Sequence, residues 1–122
     1  MLARSTLNQA KEEITMAFYE LRQYHVQPGK MDEWLALMEG TIIPFQVSKG
    51  MVITGSYRGE EDDSVYVWTR RFESEAHREE LYAAVYESEF WKSEVAPHTA
   101  VLLERSKANI QRIVPTPRSV AQ

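Results

Sequence analysis

Apolar positions recur along this chain in two rhythms, and the switches between them mark out its elements. Residues 17–27, AFYELRQYHVQ, are rich in aromatic and β-forming side chains and stop at Pro28-Gly29, so they read as a strand. In KMDEWLALMEG, Met31, Trp34, Leu35 and Met38 fall at i, i+3, i+4 and i+7. That spacing predicts an amphipathic helix, with Asp32 and Glu33 at its positive first turn. Pro44 has no N–H to donate and would clash with the Gly40 carbonyl. The helix is therefore expected to kink or break near Gly40 and resume through Phe45 and Val47.

MVITGSYRGE and SVYVWTRRF flank an acidic turn and predict a hairpin. Ser74 is placed to cap the next helix, which points Leu81, Val85 and Tyr82 inward. SEFWKSEVAP is expected as a short helical turn ended by Pro97, with His98 in a loop after it. AVLLERSKANIQRIVP is expected as a last extended stretch. The order strand, helix, strand, strand, helix, strand is the α+β, ferredoxin-like βαββαβ sandwich, with both helices on one face of an antiparallel sheet. Residues 1–15 read as an N-terminal extension, either a short helix with Thr6 and Gln9 at capping-box spacing or a segment before a natural start at Met16. Residues 16–115 form the domain and residues 116–122 a tail.

Alternation places Val65, Val67, Thr69 and Arg71 on one face of the third strand and Tyr66, Trp68, Arg70 and Phe72 on the other. Both faces begin apolar. The second strand is expected to put Met51, Ile53 and Tyr57 together opposite Val52, and the last to set Leu102 against Val101 and Leu103. Two helices cover one face of such a sheet, and an apolar second face is seldom left wet. A second subunit packed sheet to sheet, a dimeric α/β barrel, is the economical cover. Its inter-sheet space is one expected pocket, and the two adjacent arginines must take opposite faces.

Composition narrows the classes. The 122 residues are 43% hydrophobic and 26% charged, those of an ordinary soluble globular protein and one domain. A formal net charge of −4 argues against nucleic acid, and no apolar run approaches the length of a membrane span. The absence of cysteine removes disulfides and thiolate chemistry and fits a cytoplasmic setting. The acidic run GEEDDS lacks the alternating spacing of a calcium loop and reads as a solvated turn. Histidines and carboxylates lack clustered ligand spacing, so neither metal nor cofactor is expected.

Four stretches together resemble the NIPSNAP family: FYELRQYHVQPGKMDEW, VWTRRFES, LYAAVYESEFWKSEVAP and IVPTPRS. The resemblance spans residues 16–122 and implies a ferredoxin-like subunit in a dimeric α/β barrel. The family has no settled reaction, so no catalytic residue follows from it. Related dimeric barrels include cofactor-independent monooxygenases, haem enzymes and small isomerases, an analogy of fold alone.

Candidate chemistry rests on a few side chains. His25, near the end of the first strand, is a candidate acid or base beside Arg70, or else a structural histidine. Arg22 and Arg70 could clamp a carboxylate-bearing ligand, or Glu20 and Arg22 could form an ion pair holding sheet to helix. Tyr82 and Tyr86 stack at i, i+4, and a flat ligand could lie between them and Trp68, with Tyr24 and Trp91 completing the wall. The same aromatics could simply pack the helix-to-strand junction. His77, in the charged run EAHREE, reads as helix surface. The expected function is small-molecule binding, as a cofactor-free oxygenase or isomerase. The alternative is a non-catalytic homodimeric interaction module that offers its N-terminal segment or PTPRSV tail to a partner.

Overall fold

A computed structural model describes residues 17–122, and the extension expected over residues 1–15 lies outside the described residues. The elements are β1 (Phe18–His25), α1 (Met31–Leu37), a π-helical turn at Met38–Ile42, α2 (Ile43–Ser48), β2 (Val52–Arg58) and β3 (Val65–Phe72). After them come α3 (Glu75–Tyr86), a second π-helical turn at Trp91–Val95, α4 (Ala96–Leu102), a 3₁₀ turn at Arg105–Lys107 and β4 (Asn109–Ile113). The sheet order is β2-β3-β1-β4 with every neighbouring pair antiparallel, the ferredoxin-like arrangement.

Helix formation follows the apolar spacing. α1 buries Met31, Trp34 and Leu37, and the Ser74 hydroxyl accepts the His77 N–H at 3.1 Å to cap α3, which buries Leu81 and Val85. The break expected near Gly40 is a π-turn, and the helical path runs unbroken over residues 31–48. One extra residue per turn accommodates the missing Pro44 N–H without ending the helix.

Three expectations are corrected. Pro97 lies inside a helical path that runs unbroken over residues 89–102 instead of closing a helix, and His98 stands on α4 instead of in a loop. The π-turn just before Pro97 accommodates its missing N–H, as the first π-turn does for Pro44. Residues 100–102 are helical, so Val101, Leu102 and Leu103 are not part of β4. The run AVLL suits strand or buried helix equally, and Val95, Thr99 and Leu102, buried at i, i+4 and i+7, decide for helix. A bulge between Ile53 and Gly55 shifts the β2 register, so Tyr57 joins Val52 on the face away from the helices while Ile53 faces them.

Two apolar clusters fill the space between sheet and helices. One gathers Trp34, Met38, Ile42, Tyr66, Trp68 and Leu102; the other gathers Phe18, Met51, Phe72, Leu81 and Val85. The opposite sheet face carries half-buried Leu21, Val65 and Val67 with exposed Tyr57 and Val52. The tail curls back over one end of that face. There the Gln122 carbonyl accepts from the Tyr19 hydroxyl at 3.1 Å and from Arg71 Nε at 2.7 Å.

The turn from α2 into β2 passes through Gly50 at φ +105°, where an added Cβ would also meet Leu81 at 3.2 Å. Gly40 has open space at the same position. Gly50→Ala is expected to cost about 1–2 kcal/mol of unfolding free energy. Gly40→Ala should be neutral or stabilising by up to about 1 kcal/mol. Urea unfolding of both variants measures the contrast, and equal effects would remove the left-handed turn as a constraint.

Candidate functional site

Pairing of β1 with β3 sets Glu20 opposite Arg70, Arg22 opposite Trp68 and Tyr24 opposite Tyr66, all on the face covered by helices. Arg70 is wholly buried. Its Nη2 donates to Glu20 at 2.7 Å and to the Tyr82 hydroxyl at 2.8 Å. Its Nη1 donates to Gln46 Oε1 at 2.8 Å and to the Tyr86 hydroxyl at 2.7 Å. Arg78 Nε and the Tyr82 hydroxyl also reach Glu20, each at 2.7 Å. Burial alone would raise the Glu20 pKa. Hydrogen bonds from Arg78 and Tyr82 and the charge of Arg70 outweigh burial and hold it at about 2. Burial pushes Tyr82 up to about 12, so it stays a neutral donor.

The guanidinium of Arg70 stands 4.7 Å from the Trp68 ring, 5.2 Å from Tyr82 and 5.8 Å from Tyr86. The slot expected for a flat ligand is thus filled by the protein's own cation. The clamp expected of Arg22 and Arg70 is likewise turned on an internal carboxylate, Glu20, with Arg22 at 3.6 Å and Arg70 at 2.7 Å.

Open space lies to one side of this network. A cavity of about 350 Å³ between the sheet, the helices and the residues leading into β4 is lined by Arg22, Tyr24, Tyr86 and Trp91, with Trp34 and Arg105 among the others. Trp68, Arg70 and His25 do not line it. This cavity lies on the helix side of the sheet, and the open face carries a second hollow, lined by Tyr19, Thr54, Tyr57, Thr69 and Ile113. Each π-turn contributes a wall residue, Ile42 from the first and Trp91 from the second. His25 lies on the other sheet face in register with Val65. His77 Nδ1 accepts the Glu73 N–H, and His98 stands 3.5 Å from Glu33 at the surface.

Charge in the network behind the cavity is unbalanced. Glu20 and Glu75 are the carboxylates paired with Arg22, Arg70, Arg78 and Arg112, four guanidiniums against two carboxylates. Arg22 is the member of this set that lines the cavity. Its Nε donates to the Tyr24 hydroxyl at 2.7 Å and its Nη1 to Tyr82 at 3.3 Å, while Nη2 has no partner among the described residues.

Some of this was missed in the sequence. Glu104 and Arg105 reach the cavity from a segment expected to be strand, and Thr99 from the expected loop before it. Gln46, wholly buried, belongs to the Arg70 network; its signal was a polar residue continuing the apolar stripe of Met38 and Ile42 at i+4 steps.

The sequence model of the NIPSNAP family matches residues 19–119. No curated protein matches the chain. A NIPSNAP family protein with unknown function from Agrobacterium tumefaciens is similar in structure with a TM-score of 0.79 at 25% identity, over 88% of this chain and 96% of that one. An uncharacterized NIPSNAP-like domain protein from Burkholderia xenovorans has a TM-score of 0.77 at 18% identity, over 86% and 90%. A protein provisionally named an antibiotic biosynthesis monooxygenase, from Bacteroides thetaiotaomicron, shares the fold with a TM-score of 0.59 at 15% identity, over 88% and 94%.

The Glu20 pKa is lower in the folded state than its ordinary value of 4.5, so its stabilisation is complete above that value and drains as pH falls toward 2. Across that window the unfolding free energy is expected to drop by about 3 kcal/mol from this group. Glu20→Gln should cost about 3–5 kcal/mol at neutral pH, because Arg70 then has no carboxylate partner. It should also flatten the acid limb. An unchanged acid limb in Glu20→Gln would show that Glu20 does not hold the network.

Proposed function

The chain belongs to the NIPSNAP family, and from that footing we propose that it binds a small organic anion with a flat or apolar body in the cavity between sheet and helices. The observation that carries this reading is Arg22. It is a cation in excess of its internal partners, set in a wall whose aromatic surface comes from Tyr24, Tyr86, Trp34 and Trp91. Aromatic faces supply the contact area and the guanidinium supplies orientation. Chemistry without a cofactor, of oxygenase or isomerase type, would use Arg22 to meet negative charge as it develops. Among the described residues no helix is long and apolar enough to cross a membrane; we place the protein in the cytoplasm, which suits a chain without cysteine.

We further propose a homodimer closed over the open sheet face. Tyr57, 60% exposed, stands opposite half-buried Val67 there, and Val52, 46% exposed, stands opposite Arg71 further along the same face. That strip supports a second copy as cover. It equally suits the reading in which the dimer is a non-catalytic interaction module. The PTPRSV tail, folded back toward Tyr19 and Arg71, then forms part of the same surface.

Trp34 and Trp91 make binding visible by their fluorescence. Titration with benzoate is expected to quench them more steeply than titration with uncharged benzyl alcohol, and Arg22→Gln should abolish the preference, a loss of roughly tenfold or more. Equal binding of the two compounds would sink the anion reading. For the dimer, Tyr57→Glu is expected to turn a dimer into a folded monomer by light scattering after gel filtration. A wild-type protein that already elutes as a monomer would remove the dimer.

A further inference from the structure

The hydrogen-bond directions around the cavity specify more than a negative charge. Tyr82 is fully used, since it accepts from Arg70 and Arg22 and donates to Glu20. Tyr86 differs. Its oxygen accepts from Arg70 Nη1 at 2.7 Å and from Gln46 Nε2 at 3.4 Å, and its own proton has no acceptor among the described residues. Tyr24 is similar but accepts one bond, from Arg22 Nε at 2.7 Å, with its proton undirected. Both rings line the cavity, as does Arg22. A hydroxyl with both lone pairs engaged, as at Tyr86, can only donate onward, and one that accepts from a cation, as at Tyr24, is polarised to donate. Three donors therefore border one space, and the one carboxylate in its lining, Glu104, is held by Lys107 at 2.9 Å.

Arg22 cannot grip side-on. A carboxylate or phosphate held that way needs Nε and Nη2, but Nε is spent on Tyr24, and Nη1 is turned into the network, toward Tyr82 at 3.3 Å and Glu20 at 3.6 Å. What remains suits a single anionic oxygen. Resting on the reading of this cavity as an anion site, we propose that Tyr24, Tyr86 and Arg22 form an oxyanion site that selects a planar phenolate or enolate over a carboxylate. Charge-assisted donors from three side chains favour the ionised ligand over its neutral acid. The groups facing such a ligand are Arg22 and Tyr24 from β1, Tyr86 from α3, and Glu104 and Arg105 from the segment before β4. Arg70, Tyr82 and Glu20 stand behind.

The probe is 4-nitrophenol, whose phenolate is followed by its visible absorbance. With intact protein, the bound probe should ionise about one pH unit below the free probe, meaning that phenolate binds roughly tenfold tighter than phenol. It should also bind more tightly than benzoate. Tyr86→Phe should erase most of that shift. Tyr24→Phe, which frees Arg22 Nε and restores the side-on grip, should reverse the order and favour benzoate, an outcome that mere loss of packing would not give. A bound probe with an unshifted pKa in the wild-type protein overturns the oxyanion site while leaving the anion cavity standing. Failure of both nitrophenolate and benzoate to bind overturns the two together.

Discussion

Arg70 carries a full positive charge into the middle of the sheet's helix face, where no water reaches it, and most of the surrounding sequence answers that fact. An unmatched buried guanidinium would cost several kcal/mol. Glu20 supplies the counter-charge from the neighbouring strand, Tyr82 and Tyr86 supply oxygens from α3, and Gln46 supplies an amide oxygen from α2. Three elements, β1, α2 and α3, are thereby tied to one side chain of β3. The ion pair does not add stability in the way buried leucines would. It fixes the angle and height at which the helices sit on the sheet, because each partner must come within hydrogen-bond distance of one planar group.

The network also divides the interior. The cluster around Trp34, Tyr66 and Trp68 lies on one side of it and the cluster around Phe18, Phe72 and Val85 on the other, with Trp91 touching both. A polar seam between two apolar clusters prevents them from merging into one dry core. Where the seam reaches Arg22 and Tyr24 it borders the cavity, so the machinery of folding and the candidate site share atoms. Tyr86 shows this most plainly. Its oxygen belongs to Arg70 and Gln46, and its ring belongs to the cavity wall.

Architecture was more legible in the sequence than the site. Strand alternation in VYVWTRRF assigned each residue of β3 to its face, and helical spacing located Met31, Trp34, Leu81 and Val85 inside. Arg22, Tyr24, Tyr86 and Trp91 were singled out from composition and face, and the structure brings them to one cavity. Their companions Arg70 and Trp68 were singled out on the same grounds but serve one another, with the cation packed over the indole. A face assignment cannot tell a side chain that lines a space from one that fills it. Arg105 escaped because AVLLERSK carries no helical signal strong enough to oppose its β-forming residues, and Thr99 because Pro97 reads as a helix end just before it. The bulge that moved Tyr57 to the open face has no signature beyond Gly55 itself.

Both π-turns end two residues before a proline, Met38–Ile42 before Pro44 and Trp91–Val95 before Pro97. Each carries one residue more than an α-helical turn needs, and one residue is worth about 100° of rotation around a helix axis. Deleting a single residue in either turn would therefore not shorten the helix in any way the sheet could feel. It would swing the downstream face, turning Gln46 away from Arg70 in one case and Thr99 away from the cavity in the other. These two places act as phase adjusters, where a change of one in length alters what the helix presents rather than where it runs. Loops absorb such changes by bulging outward, but a helix pinned to a buried cation converts them into a different lining.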